Sequence, residues 1–304
     1  MKIFKSILSF QKEFNTDEKC REHLEQSRWN GTPACPFCGS TGVHRFPNGK
    51  IFKCRDCRKK FSVTVGTIYE NTKIPLTKWY LATYILTTHS KGISSLQLAN
   101  MLDVTQKTAW FLNHRIREML TEKAPQLLTG TVEVDETYVG GSDRNRHQHK
   151  KKGKDAKTMV VGAVQRGDED NASKVTTAII PATTKENVTE FILANVQAGS
   201  NMVTDESKAY NKVKKNYTHD TVNHRAKEYV RGNVHTNTIE GFWSLLKRQI
   251  DGIHHSVSPQ HLGRYCNESA YRYNNKGVAQ DERFAVAVSN CEGRLTYQKL
   301  IAKQ

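Results

Sequence analysis

Two close pairs of cysteines constrain this chain more than any other feature. Cys35-Pro-Phe-Cys38 and Cys54-Arg-Asp-Cys57 are separated by fifteen residues, in the pattern C-x2-C, x15, C-x2-C. Zinc takes four thiolates in a tetrahedron, and each CxxC turn supplies two converging sulfurs. The spacing is that of a zinc ribbon. Gly39 suits the tight turn after the first pair, and Phe37, Phe46, Phe52 and Phe61 can pack around a module too small for a core of its own. Four sulfurs leave no open coordination position, so the expected zinc is structural. The other three cysteines, Cys20, Cys266 and Cys291, are scattered. An odd total with this clustering does not describe a secreted disulfide framework.

Formal net charge is +16 over 304 residues. A surplus of that size concerns partners rather than fold, and favours nucleic acid. The expected contacts on the ribbon are Lys53, Arg55, Arg58, Lys59 and Lys60, joined by Lys50. No apolar run approaches the roughly 18 residues of a membrane span. Met1–Phe14 lacks the apolar stretch and cleavage site of a secretory signal. The expectation is a soluble protein of the cytoplasm, nucleoid-associated, or of the nucleus in a eukaryotic source.

The chain changes texture along its length. Residues 15–29 read as a helix with Asn15 as N-cap and Glu18 at N3. Residues 31–65 carry Gly, Pro, Cys and aromatics without helical period, and 75–120 are helical. Within the latter, Leu96, Ala99 and Leu102 share one face, Asp103-Val104-Thr105 makes a break, and a second helix buries Ala109, Leu112, Ile116 and Leu120. That is the outline of a helix-turn-helix, whose second helix would offer Lys107, Asn113 and Arg117, with Gln106 and His114, to DNA.

From Thr131 strands alternate with helices. Thr131–Val139 places Val132 and Val134 on one face and Glu133, Asp135 and Thr137 on the other. Further strands are expected at Met159–Gln165, Lys174–Ile180 and Asn201–Asp205. Helices are expected at Lys185–Val196, Asn237–Ile250 and Pro259–Tyr273. Between the first two strands lies a basic loop, 143–157, with His147, His149 and Lys150–Lys154, suited to nonspecific grip on DNA. His254 and His255 read as turn residues, and Tyr265, Tyr271 and Tyr273 as helix core.

Three acids stand out. Asp135 lies mid-strand, Asp205 closes a strand and Glu240 begins a helix. Lys247 follows Glu240 by nearly two turns, so the two share a face with Trp243. In-line phosphodiester chemistry uses two metal ions, and hard divalent cations such as magnesium take carboxylate oxygens. Converging carboxylates repel one another without metal, which favours cation capture. Taken singly, Asp135 suits a solvent-facing strand position, Asp205 a helix cap, and Glu240 a capping box with Asn237. Together, and in this order, they match a ribonuclease-H-like site, with the lysine contacting phosphate.

The chain resembles the zinc-ribbon DDE transposases of insertion sequences, the ISXO-two-like group. The resemblance spans about residues 20–280. It rests on the two CxxC pairs, on Val-Glu-Val-Asp135-Glu-Thr-Tyr-Val-Gly-Gly, on Thr-Asp205-Glu, and on His235-Thr-Asn237-Thr-Ile-Glu240-Gly-Phe-Trp243-Ser-Leu-Leu-Lys247-Arg. It implies a DDE triad of Asp135, Asp205 and Glu240 assisted by Lys247, binding two Mg2+ or Mn2+. It also implies double-stranded DNA, transposon ends and target, as partner, and at least a homodimer when ends are paired.

The expected architecture is α/β: an N-terminal helical segment (1–30), a zinc ribbon (31–65), a helix-turn-helix-like segment (66–125), a ribonuclease-H-like catalytic domain (126–280) and a C-terminal tail (281–304). The activity expected is end binding followed by metal-dependent strand cleavage and strand transfer. Two alternatives are a catalytically silent, transposase-derived DNA-binding regulator and a nuclease of the same fold that never joins.

Overall fold

The computed structural model describes residues 4–123, 125–140, 157–168, 172–222 and 230–302. The basic stretch 143–157 falls, apart from Lys157, outside the described residues. The chain forms two compact units: Met1–Leu120 with Val278–Gln304, and Thr121–Gly277.

The first unit begins with α1 (Ile7–Glu13) and α2 (Asp17–Trp29). The N-cap of α2 is Thr16 rather than the expected Asn15. Its side chain accepts the Lys19 N–H at 3.3 Å, and Asp17 and Glu18 in the first turn complement the helix dipole. The ribbon is a small antiparallel sheet of β1 (Val43–Arg45), β2 (Phe52–Cys54) and β3 (Lys60–Phe61). Three helices follow: α3 (Leu76–Thr88), α4 (Ser95–Leu102) and α5 (Gln106–Met119). Helix α3 is buried almost all round, through Trp79, Tyr80, Tyr84, Ile85 and Leu86, as a central helix must be.

Residues 281–304, expected as a tail, belong to this unit. Gln280–Ser289 and Tyr297–Ile301 are its last helices, α9 and α10. Phe284 of α9 packs edge-on against Phe4, Phe10 and Tyr80, at 5.2–5.6 Å between ring centres. Phe284, Ala287, Val288 and Cys291 recur at helical spacing and are buried, but spacing along the chain does not say which unit such a helix joins.

Helices α4 and α5, where a helix-turn-helix is expected, pack against each other across a short turn. Asp103 turns the chain in the left-handed region at φ 49°, and the Thr105 hydroxyl caps α5 by accepting the Thr108 N–H at 3.3 Å. Its outward face differs from expectation. Gln106 and Lys107 are exposed, but Asn113 and Arg117 are each 1% exposed and His114 is fully buried. The C-terminal half of α5 is buried almost all round, so Asn113 and Arg117 lack the exposure that a DNA-reading residue needs.

The second unit is a five-stranded sheet with helices on both faces. The strands are β4 (Thr131–Val139), β5 (Thr158–Gln165), β6 (Lys174–Ile180), β7 (Asn201–Asp205) and β8 (Thr218–Val222). Their order is β6-β5-β4-β7-β8. The first three are antiparallel neighbours, and β7 and β8 add parallel to β4. Helix α6 (Lys185–Asn195) and the 3-10 segment Lys208–Lys215 cover one face. Val132, Val134, Val161 and Ala163 pack there against Val188, Ile192 and Tyr210. Helices α7 (Asn237–Gln249) and α8 (Pro259–Asn274) cover the other, where Val139, Val160 and Val164 meet Ile239, Phe242, Trp243 and Leu262. The period-two alternation of β4 thus sorts one valine set to each layer. This mixed order with helices on both sides is a ribonuclease-H-like arrangement.

Strand β8 and the hairpin of β9 (Val230–Arg231) and β10 (Val234–His235) lead into α7. Thr218-His-Asp-Thr-Val is a polar edge strand and carries little pattern. Tyr265 and Tyr271 are core residues of α8, and the His254 ring lies 4.7 Å from that of Tyr265 at the end of a π-helical turn, Ile250–His254. Among the described residues, no helix is long and apolar enough to cross a membrane.

Candidate functional site

Two sites emerge, one in each unit. In the ribbon, Cys35 and Cys57 bring their sulfurs to 3.6 Å, and so do Cys38 and Cys54. All four sulfurs lie within 4.8 Å of one another. A tetrahedron of thiolates about 2.3 Å from zinc has edges of about 3.8 Å, so the quartet has the size zinc needs. The two turns are built alike: Gly39 at φ 74° follows Cys38, and Arg58 at φ 63° follows Cys57. Phe52 stacks on Phe61 at 5.5 Å, and Trp29 closes edge-on at 5.3 Å. Phe37 is instead exposed, with the Lys59 ammonium 4.8 Å over its ring, and Lys60 lies over Phe46. Arg55, Arg58, Lys59 and Lys60 are exposed and Lys53 is half-buried.

In the second unit the acids are placed by strand register. Glu133 pairs with Val203 across β4 and β7. Continued two residues, that parallel register brings Asp135 level with Asp205, both on the α7 face. Asp205 sits at the strand end, where its Oδ1 accepts the Ser207 N–H at 3.0 Å. Glu240 lies in the first turn of α7 and accepts the Thr236 hydroxyl at 2.9 Å. Lys247 is exposed further along the same helix.

Asp135 is joined to α7 directly. The Trp243 indole N–H donates to its Oδ2 at 3.0 Å. The ring fits because the residue paired with Asp135 across β4 and β5 is Gly162. A Cβ there would lie 2.6 Å from the ring of Trp243. Burial pushes the Asp135 carboxyl up to about 6; the charges of Asp205 and Glu240 add to this, while the Trp243 N–H holds it down. Asp205 and Glu240 are therefore close enough for their charges to act on Asp135. The three carboxylates do not all close to 4.8 Å; among the described residues only the cysteine quartet does.

Next to Asp135, Glu136 points to the opposite face beside buried Tyr210. Burial carries its carboxyl to about 7, with the charges of Asp135 and Asp205 adding. Glu136, Gly162 and the donor role of Trp243 were not singled out from sequence. The one signal for Trp243 was its place on the face of Glu240 and Lys247.

The comparisons with known proteins agree with this architecture. Residues 127–274 match the ISXO2-like transposase domain, and residues 15–60 match the transposase zinc-ribbon domain. A protein of Halobacterium salinarum, described as an uncharacterized protein in transposable element ISH50, is 31% identical over 273 residues, covering 84% of this chain and 90% of its own length. Both matched domains, in this order, are transposase domains. The chain belongs to the ISXO2-like transposase family.

Proposed function

We propose that the protein cuts and joins DNA as an insertion-sequence transposase, using Asp135, Asp205 and Glu240 as ligands for two divalent metal ions. The observation that carries this is the convergence of three carboxylates from two adjacent parallel strands and one helix, with Asp135 pushed up to about 6. A buried carboxyl held up by burial, with two further carboxylates beside it, forms a site that a hard cation relieves. When bound, Mg2+ or Mn2+ would polarise the phosphodiester and lower the pKa of the attacking hydroxyl.

The chain's own groups then have defined tasks. Asp135, oriented by Trp243, and Asp205, level with it, would hold the metals from the sheet. Glu240 would complete the ligand set from the helix, and Lys247 would contact a phosphate. Water attacks the phosphorus at the element end. The bond to the 3′ oxygen breaks, leaving a 3′ hydroxyl and a 5′ phosphate. That hydroxyl attacks a target phosphodiester in turn, and the target's own 3′ oxygen leaves.

The exposed cations Arg55, Arg58, Lys59 and Lys60 of the ribbon, with Lys53 and with Lys107 at the start of α5, supply the DNA contact. Pairing two ends requires at least a dimer on DNA. The test is transposition of a marked element with its native flanking DNA. Wild type should move the marker, and Asp135→Ala and Asp205→Ala should not. End binding by wild type without cutting or joining would favour the silent regulator, and cutting without joined products the nuclease.

A further inference from the structure

Glu133 lies on the same strand face as Asp135 and is fully buried. A carboxylate in that position is costly unless its oxygens are filled, and here they are filled by Arg166 and by the segment carrying Glu240. The Thr238 hydroxyl donates to it at 2.7 Å and the Ile239 N–H at 2.9 Å. Arg166, just beyond β5, donates from Nε at 2.6 Å, and His235 Nδ1 stands 3.4 Å away. The same guanidinium reaches the strand before α7. It donates to the Asn233 carbonyl at 2.6 Å and the His235 carbonyl at 2.7 Å, and lies 3.1 Å from His235 Nδ1.

One ion pair therefore grips both the approach to α7 and its first turn. Two residues along a strand advance about 6.6 Å, and the four residues from Ile239 to Trp243 advance about 6 Å along a helix. The bonds Glu133–Ile239 and Asp135–Trp243 thus match in spacing and lock α7 against β4 at two points. Glu240 lies between them. Its own side chain is exposed and accepts the Thr236 hydroxyl, and the backbone that carries it is fixed on either side.

We propose that Glu133, clamped by Arg166, is a positioning residue that sets Glu240 against Asp135 and so completes the metal site. The proposal rests on the reading of Asp135, Asp205 and Glu240 as metal ligands. A partner that orients a ligand in this way is worth roughly ten- to a hundred-fold in metal affinity or activity.

The test uses the full zinc-loaded chain and Mn2+ as the probe. Three proteins are compared with wild type: Thr238→Val, Glu133→Gln, and the double variant Glu133→Leu with Arg166→Met. The double variant replaces the buried ion pair by apolar side chains, a change that commonly keeps stability while removing every directed bond. Mn2+ affinity is measured by titration calorimetry beside the melting temperature and the cleavage of end DNA. The expected result is a ten-fold or greater loss of Mn2+ affinity in the double variant, with its melting temperature near that of wild type. Thr238→Val should show a smaller loss in the same direction, and raising Mn2+ should recover part of the cleavage. Mn2+ affinity within two-fold of wild type in both overturns the proposal, as does a loss that only tracks melting temperature. If Glu133→Gln or the double variant fails to fold, Thr238→Val decides alone. A wild type that binds Mn2+ but never cuts sinks the transposase reaction and leaves the positioning role to the titration.

Discussion

Trp243 reaches Asp135 across the space that Gly162 leaves empty. The indole N–H donates to Asp135 Oδ2 at 3.0 Å, and Gly162 is the cross-strand partner of Asp135. Gly162→Ala would place a methyl 2.6 Å from the ring. Overpacking of that kind costs about 1–3 kcal/mol. The expected outcome is a lowered melting temperature together with loss of cleavage, because the ring must move off Asp135. A variant with both properties unchanged would show that the contact is dispensable.

Trp243→Phe separates the donor from the bulk. Phenylalanine fills most of the space but presents no N–H. That N–H holds the Asp135 pKa down, so its loss moves the pKa higher. Cleavage that requires ionised Asp135 should then have its acid limb shifted to higher pH. A pH profile of end cleavage at fixed Mn2+ checks this; an acid limb that stays in place argues against an oriented Asp135.

The metal-free protein should lose stability as pH rises through mildly acidic values. Asp135 is raised from 3.8 to about 6 and Glu136 from 4.5 to about 7. Between the unfolded and folded values the folded state binds more protons than the unfolded chain. Stability from these groups is therefore full below about pH 4 and falls until about pH 7. At 1.36 kcal/mol per unit, each contributes at most about 3 kcal/mol. Mn2+ favours the ionised forms, so it should raise the melting temperature more at pH 7 than at pH 5. Melting curves across pH, with and without Mn2+, test both signs, and a thermal shift from Mn2+ independent of pH would contradict the assignment.

One zinc per chain is expected by elemental analysis, held by Cys35, Cys38, Cys54 and Cys57. Cys57→Ser should lower zinc occupancy. Since a module this small folds around its metal, the variant should also bind end DNA at least ten-fold more weakly. Cys20→Ser lies outside the quartet and should leave zinc content unchanged.

Lys59 and Lys60 are exposed on the ribbon. Each phosphate contact contributes about 0.9 to the slope of log affinity against log salt. Lys59→Ala with Lys60→Ala should weaken end binding at low salt and reduce that slope by about 2. Fluorescence anisotropy over a salt series measures both, and an unchanged slope would move DNA contact elsewhere. Asn113→Ala and Arg117→Ala should act differently. Both side chains are buried, so their effect should appear in stability before any change in sequence preference.

The sequence by itself determined what depends on neighbours along the chain. CxxC spacing specifies a four-sulfur site because each turn is local. Alternation over Thr131–Val139 set Glu133 and Asp135 on one strand face, and the bounds of β6 and β7 follow the same period. The helical spacing of Glu240, Trp243 and Lys247 put them on one helix. Tertiary structure decided what those faces meet. Periodicity named Asn113 and Arg117 as outward residues, but the packing around the C-terminal half of α5 buries them. Phe284, Ala287, Val288 and Cys291 have helical spacing, yet only packing places Phe284 among the rings of the first unit. Gly162 becomes necessary only once Trp243 lies over it. Glu133 read as one more strand acid until Arg166, His235, Thr238 and Ile239 closed around it. The physical reason is the same in each case. Local geometry fixes which way a side chain points relative to its own backbone, and only the packing of distant segments fixes what it touches there.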